Sequence, residues 1–197
     1  MPGDFLRHEP QLTMEQFHAF RDERPKEEKW ELIDGVPTMM PPPTRMHQRI
    51  ARNLATMLNT CLQRVKPEWQ ADHEVGVLLS GENKYNPKPD VTVTDAELAI
   101  GEVYAERFYF AAEILSSSDK PVVIDAKLAY YRTHEHCVGV LLVQQDHIAA
   151  EIHIRTSAGW TVHRLTDPAG RLFLPEIGEI GVLGALYRHT PLSPPAA

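Results

Sequence analysis

Three acidic residues stand where acids are seldom found. Glu31 falls inside the apolar run Trp30-Glu31-Leu32-Ile33, Asp90 opens Asp90-Val91-Thr92-Val93-Thr94, and Glu113 lies within Phe110-Ala111-Ala112-Glu113-Ile114-Leu115. Carboxylates sit within apolar strands as a rule when they are paired or bind a cation. Period-two alternation puts Asp90 on the face of Thr92 and Thr94, away from the valines. It puts Glu113 with Tyr109 and Ala111, opposite Phe108, Phe110, Ala112 and Ile114. If the two segments pair as neighbouring strands, both carboxylates face one cleft. Two ionised carboxylates a few ångström apart repel, and a divalent cation with hard oxygen ligands is the least costly remedy. Mg²⁺ fits best, with Mn²⁺ as substitute. It would keep several waters, acidify one and neutralise charge on a phosphate oxygen, as phosphodiester hydrolysis requires. A nearby lysine would complete the site. Each carboxylate taken alone also fits a turn cap or an edge pair with an arginine.

The elements that must position these groups are legible in outline. Thr13 can cap a short helix in which Phe17 and Phe20 share a face. WELIDG and VPTMM read as a hairpin turned by Asp34-Gly35, with Glu31 pointing opposite to Trp30 and Leu32. Pro41-Pro42-Pro43 ends it, and Thr44 can cap a long helix whose Met46, Ile50, Leu54, Met57, Leu58, Cys61 and Val65 keep helical spacing. Short strands follow in WQADHEVGVLL, PDVTVT and RFYFAAEIL. A second helix in DKPVVIDAKLAYYRTH is capped by Ser118 or Asp119, with Pro121 in its first turn. CVGVLLVQQ has the continuous apolar character of a strand covered on both faces. AAEIHIR, GWTVHRL and RLFL promise antiparallel pairs, so the fold class is a mixed α/β or α+β domain.

Length and composition bound the rest. The 197 residues are short for two independent cores, and 43% hydrophobic with 24% charged residues is the composition of a globular chain. We expect a single domain over residues 12–190, after an N-terminal extension (1–11) and before the flexible proline-rich tail PLSPPAA (191–197). Lys and Arg total 20 against 27 Asp and Glu, a formal charge of -7, so no global positive field draws the chain to nucleic acid or an anionic membrane. Neither a signal peptide nor a membrane-spanning run is evident, which points to the cytoplasm with no membrane partner. Cys61 and Cys137 are expected to be reduced and buried.

The order of the pieces carries a resemblance. WELIDG, a proline-rich turn with His47-Gln48 opening a long helix, Pro89-Asp90-Val91, Glu113-Ile114-Leu115-Ser116, then Lys127 and Tyr131 together resemble the Uma-two family of restriction-endonuclease-like proteins, in the PD-(D/E)XK nuclease superfamily. The resemblance implies a restriction-endonuclease-like mixed sheet flanked by helices, with an extra antiparallel C-terminal part. It implies metal-dependent cleavage of DNA: Asp90 and Glu113 would hold Mg²⁺, Glu31 would be an additional acid, and Lys127 the catalytic lysine. His47 would help hold a phosphate or the water. The superfamily's usual lysine lies two residues after the second acid, where this chain has Leu115. Lys127, with Tyr131 at i+4, stands at the family's offset instead, and Lys120 is its rival. Ser117 replaces a usual proline, and the run from Cys137 to Leu142 replaces a tryptophan-containing strand.

Arg45, Arg49 and Arg52 at i, i+4 and i+7 form a basic stripe that could hold phosphates weakly and without base readout, or be a solvated helix face. With His47 and Tyr131 they are the candidate substrate-binding residues. His134-Glu135-His136-Cys137 has metal-ligand residue types but no partner pair, and the tyrosines and phenylalanines read as core. No glycine-rich nucleotide loop or serine-hydrolase elbow is present in the sequence. The leading expectation is a Mg-dependent endodeoxyribonuclease acting as a homodimer. The alternatives are a degenerate, non-catalytic homodimeric interaction module and a hydrolase of another phosphate ester.

Overall fold

A computed structural model describes residues 11–78 and 81–193. The chain begins with helix α1 (Met14–Asp22), closed by a reciprocal capping box between Thr13 and Gln16, with Phe17 and Phe20 stacked at 6.3 Å. Strands β1 (Lys29–Ile33) and β2 (Val36–Met40) form the expected hairpin. Asp34 and Gly35 take φ of 49° and 75°, the two positive values that a twisted two-residue turn requires. Helix α2 (Arg45–Val65) starts at Thr44, whose Oγ accepts from the His47 N–H at 3.1 Å, and buries Ile50, Ala51, Leu54, Ala55, Leu58, Cys61 and Leu62. Val65, expected on that face, is 47% exposed, because the helix stops there and the chain turns away at Lys66.

The remaining elements are β3 (Trp69–Asp72), β4 (Gly76–Val77), β5 (Val91–Asp95), β6 (Tyr104–Ala105), β7 (Phe108–Leu115), α3 (Pro121–Thr133), β8 (Gly139–Gln144), β9 (Ala150–Thr156), β10 (Gly159–Leu165), β11 (Arg171–Leu174), β12 (Gly178–Val182) and α4 (Leu183–Leu186). Six strands form one mixed sheet in the order β10-β9-β8-β7-β5-β3. Only its β7–β8 pair is parallel, since α3 supplies the crossover that a parallel connection needs. One sheet face packs on α2, β12 and α4; the other packs on α3.

Two local expectations are corrected. A bulge between β5 and β7 pairs Val93 with Phe110 but Thr94 with Phe108, leaving Tyr109 as the extra residue. Phe108 therefore turns to the α3 side, edge-on to Tyr131, while Tyr109 stacks on Trp69 at 3.8 Å on the α2 side. The cap of α3 is Lys120, fixed there by Pro121 at the first helical position, and its ammonium, which only donates, makes no cap bond to the helix N–H groups. Asp119 instead closes the preceding loop, its Oδ2 accepting from Ser116 N at 2.6 Å and Ser116 Oγ at 2.8 Å. At the far end of α3, Arg155 donates to the carbonyls of Arg132 (3.0 Å) and Cys137 (2.7 Å), satisfying helix-end acceptors with a cation. β12 and α4 have no counterpart in the sequence reading. Gly181 shows why glycine stands there: its φ of 140° is a conformation that residues with a Cβ rarely adopt.

Cys61 and Cys137 are free and buried. Among the described residues no helix is long and apolar enough to cross a membrane. The N-terminal extension falls almost wholly outside the described residues, as do the last four residues of the tail.

Candidate active site

The antiparallel register of β5 on β7 pairs Val91 with Ala112 and Thr92 with Ala111, so one step further Asp90 comes opposite Glu113. Asp90 is fixed there by Ile114 N, which donates to Oδ2 at 2.6 Å, and by His47 Nε2 at 3.1 Å from the same oxygen. The hairpin brings Glu31, whose Oε1 accepts from Lys88 N at 2.5 Å. Helix α3 brings Lys127 and, one turn on, Tyr131. Lys127 Nζ lies 2.9 Å from Glu31 Oε2 and 3.1 and 3.0 Å from the two oxygens of Glu113, and Tyr131 OH donates to Glu113 Oε1 at 2.5 Å. Three sequence-distant elements thus meet at one ammonium. The cluster is deep: Glu31, Asp90, Glu113 and Lys127 are 2%, 8%, 5% and 4% exposed.

Two carboxylates, Glu31 and Glu113, share the Lys127 ammonium, while Asp90 has the His47 imidazole as its partner. Burial pushes Glu113 up to about 8; Asp90 and Glu31 push the same way, against Lys127 and the Tyr131 hydrogen bond. Burial alone would strip Lys127 of its proton, but Glu113 and Glu31 outweigh it and raise the lysine above its ordinary value. Burial, then Glu113 and Glu31, hold Tyr131 well above its ordinary value, so it remains a phenol that donates. For His47 burial opposes the imidazolium, yet the bond to Asp90 and the charges of Asp90, Glu113 and Asp119 prevail and raise it. Its Nδ1 is buried without a hydrogen-bond partner.

A cavity of about 320 Å³ opens above the cluster. Its walls are Thr38 to Pro43 at the end of the hairpin, Thr44 and His47 at the start of α2, Leu115 to Asp119 after β7, and Val123 and Ile124 of α3. Of the candidates from the sequence, Glu31, Asp90, Glu113, Lys127 and His47 line it. Tyr131 does not: it is fully buried behind Glu113, which corrects its expected contact with substrate to that of a buttress. The arginine stripe also lies outside. Arg49 Nη1 donates to the His189 carbonyl at 3.2 Å, while Arg45 and Arg52 are exposed on the flank of α2, because their helical phase turns them from the sheet's end. Lys120 is exposed at the start of α3, and Leu115 supplies only an apolar wall. His134 belongs to the core edge, its Nε2 2.9 Å from the Glu106 carbonyl and its ring 4.3 Å from Phe108. Sequence reasoning missed the rim formed by Met39, Met40 and the Ser116–Asp119 loop; two consecutive methionines before three prolines were the available signal.

The fold is that of a nuclease-like protein. It matches a solved protein from Anabaena variabilis described as "a putative nuclease belonging to DUF820", with a TM-score of 0.70 and 16% sequence identity over 89% of this chain and 97% of that one. The model of the Uma2 family, described as "Putative restriction endonuclease", matches residues 14–182, and the chain belongs to that family. A search of curated proteins finds no match.

Proposed function

We propose that the protein is a metal-dependent endonuclease that hydrolyses DNA phosphodiester bonds in the cavity above Asp90, Glu113 and Lys127. The observation that carries this reading is the convergence of Glu31, Asp90 and Glu113 with Lys127 and His47 on one cavity, where burial, with Asp90 and Glu31 adding to it, pushes Glu113 up to about 8. Among the described residues no three acidic, histidine or cysteine side chains converge as a ready ligand set, so the fit rests on the hard oxygens of Asp90 and Glu113, which would hold Mg²⁺ or Mn²⁺ with water completing the shell. The ion, when bound, neutralises charge on the phosphate and acidifies water.

The chain's own groups do the rest. Lys127, clamped between Glu31 and Glu113, offers its remaining donor capacity toward a phosphate oxygen or the attacking water. Glu31 keeps the ammonium in place without spending a ligand of the ion. His47 steadies Asp90 Oδ2 and stands at the cavity wall within reach of a phosphate. The missing lysine after the second acid is made good in space, since α3 delivers an ammonium to Glu113 across 14 residues of sequence.

Cleavage assays with Mg²⁺ or Mn²⁺ on several DNA forms test the reading. Asp90→Ala and Glu113→Ala should each lose at least about 10²-fold in rate. Calorimetry should show Mn²⁺ binding that Glu113→Gln weakens. Equal cleavage by the wild type and both alanine variants would remove the assignment.

A further inference from the structure

The lining of this cavity bears on the form of DNA it accepts, an inference that rests on the reading above. Its charged lining residues comprise Glu31, Glu74, Asp90, Glu113 and Asp119 against only Lys29 and Lys127. Lys29 is engaged by Glu74, which leaves Lys127, held between Glu31 and Glu113, as one buried ammonium for one phosphate. A duplex carries one negative charge for about every 1.7 Å of its axis, and proteins that grip it set cations along both backbones. The lining holds no such bank among the described residues.

The flank beyond Glu74 makes matters worse for a second strand. A neighbouring cavity of about 1100 Å³ shares Glu74 and is lined by Asp72, Asp95, Glu97, Glu102, Glu106 and Glu135, and its Arg107 is already paired with Asp95. That side repels a phosphate backbone. At the start of α2 the wall is Thr44 and His47, and no acid occurs from Thr44 to Lys66. One strand therefore has one approach.

Depth and size point the same way. The carboxylates lie behind a rim of Pro41 to Pro43 and Ser116 to Asp119, in a volume at the lower end of small-ligand pockets, roughly 300 Å³ upward. Met39, Met40, Val123 and Ile124 give it an apolar wall that suits a base or sugar and gives a phosphate nothing. A nucleotide in a duplex reaches such a pit only after unstacking and unpairing, at a cost of a few kcal/mol that an unpaired strand does not bear.

We propose that the cavity admits a single unpaired nucleotide, so that the substrate is single-stranded DNA or an unpaired flap, entering beside Thr44 and His47 at the start of α2. The test is one labelled oligonucleotide presented with Mn²⁺ as a single strand, as a fully paired duplex and as a duplex with a flap. The single strand and the flap should be cut at least about tenfold faster than the paired duplex, and Glu113→Ala should abolish both. A paired duplex cut as fast as the single strand, with Glu113→Ala abolishing the cut, overturns this inference and leaves the nuclease reading standing. No cleavage of any form, or cleavage that survives Glu113→Ala, overturns the nuclease reading itself. A small phosphodiester hydrolysed without competition from the single strand also overturns the inference. Met39 is 56% exposed on the rim, so Met39→Asp should fold and raise KM for the single strand severalfold with kcat kept. An unchanged KM removes that wall from the binding surface.

Discussion

Both faces of the six-stranded sheet carry an apolar cluster, but the α3 face also buries the Glu31, Glu113 and Lys127 ions. The helix on one face, α2, buries Ile50, Ala51, Leu54, Ala55, Leu58, Cys61 and Leu62. The helix on the other, α3, buries Lys127, Tyr130 and Tyr131. Both are equally shielded from water, yet burial acts on them with opposite sign. Each fully buried leucine contributes about 1.5–3 kcal/mol. Each buried ion costs several kcal/mol, which only close pairing offsets. The α3 face leaves that offset incomplete, with one ammonium and one imidazole for three carboxylates. A chain can carry such an imbalance when a second face, here α2 against Val91, Val93, Phe110, Ala112 and Leu141, supplies the stability.

The largest test of this contrast pairs one substitution from each face. Lys127→Met removes the ammonium that Glu31 and Glu113 share, so it should cost about 3–5 kcal/mol of stability and abolish cleavage together. Leu54→Ala, in the opposite core, should cost a similar 2–5 kcal/mol through its cavity, while kcat below the lowered Tm stays at the wild-type value. Thermal melts and single-turnover rates on both proteins check the pair. A Leu54→Ala protein that melts lower and also loses its chemistry would break the division of labour.

A smaller effect separates the faces by pH. Glu113 binds its proton more tightly in the folded chain, up to about 8, than in the unfolded chain, where it titrates near the ordinary carboxylate value. Its contribution to stability is therefore full below the unfolded value and is lost as pH rises to about 8. With chelator present, Tm should fall across pH 5 to 8 in the wild type and fall less in Glu113→Gln, which keeps the shape but cannot titrate. Equal slopes would show that Glu113 is not the group that feels the imbalance.

The same contrast explains what the sequence made legible. The α2 face was readable because apolar spacing from Met46 to Cys61 follows from helix geometry alone, and only the terminal Val65 escaped it. Alternation also placed Asp90 and Glu113 on one side of the sheet, since their strands pair without interruption at those residues. It failed five residues earlier, at Phe108, because the bulge at Tyr109 is a tertiary accommodation to Trp69 that no period announces. Spacing could not choose between Lys120 and Lys127. The phase of α3 against the hairpin chose, and that depends on Glu31 arriving from another element. The arginine stripe shows the converse: a regular pattern on α2 is real, yet its phase carries it away from the cavity.

The smallest effect concerns Tyr131, where sequence and structure gave different roles. As a substrate contact, its hydroxyl would matter to KM. As a buttress, it matters to Glu113 alone, because it lies outside the cavity lining and spends its proton on Glu113 Oε1. Tyr131→Phe keeps the ring against Phe108 and deletes one hydrogen bond to a charged group, so stability should fall by about 1.5–3 kcal/mol at most. The hydroxyl's bond is one of the influences holding Glu113 down, so its loss raises that carboxyl further and moves the acid limb of the cleavage profile to higher pH. At neutral pH kcat should drop severalfold with KM for DNA unchanged, and raising the pH should recover part of the loss. A raised KM with an unmoved pH profile would instead return Tyr131 to the substrate and show that the α3 face opens wider than its burial suggests.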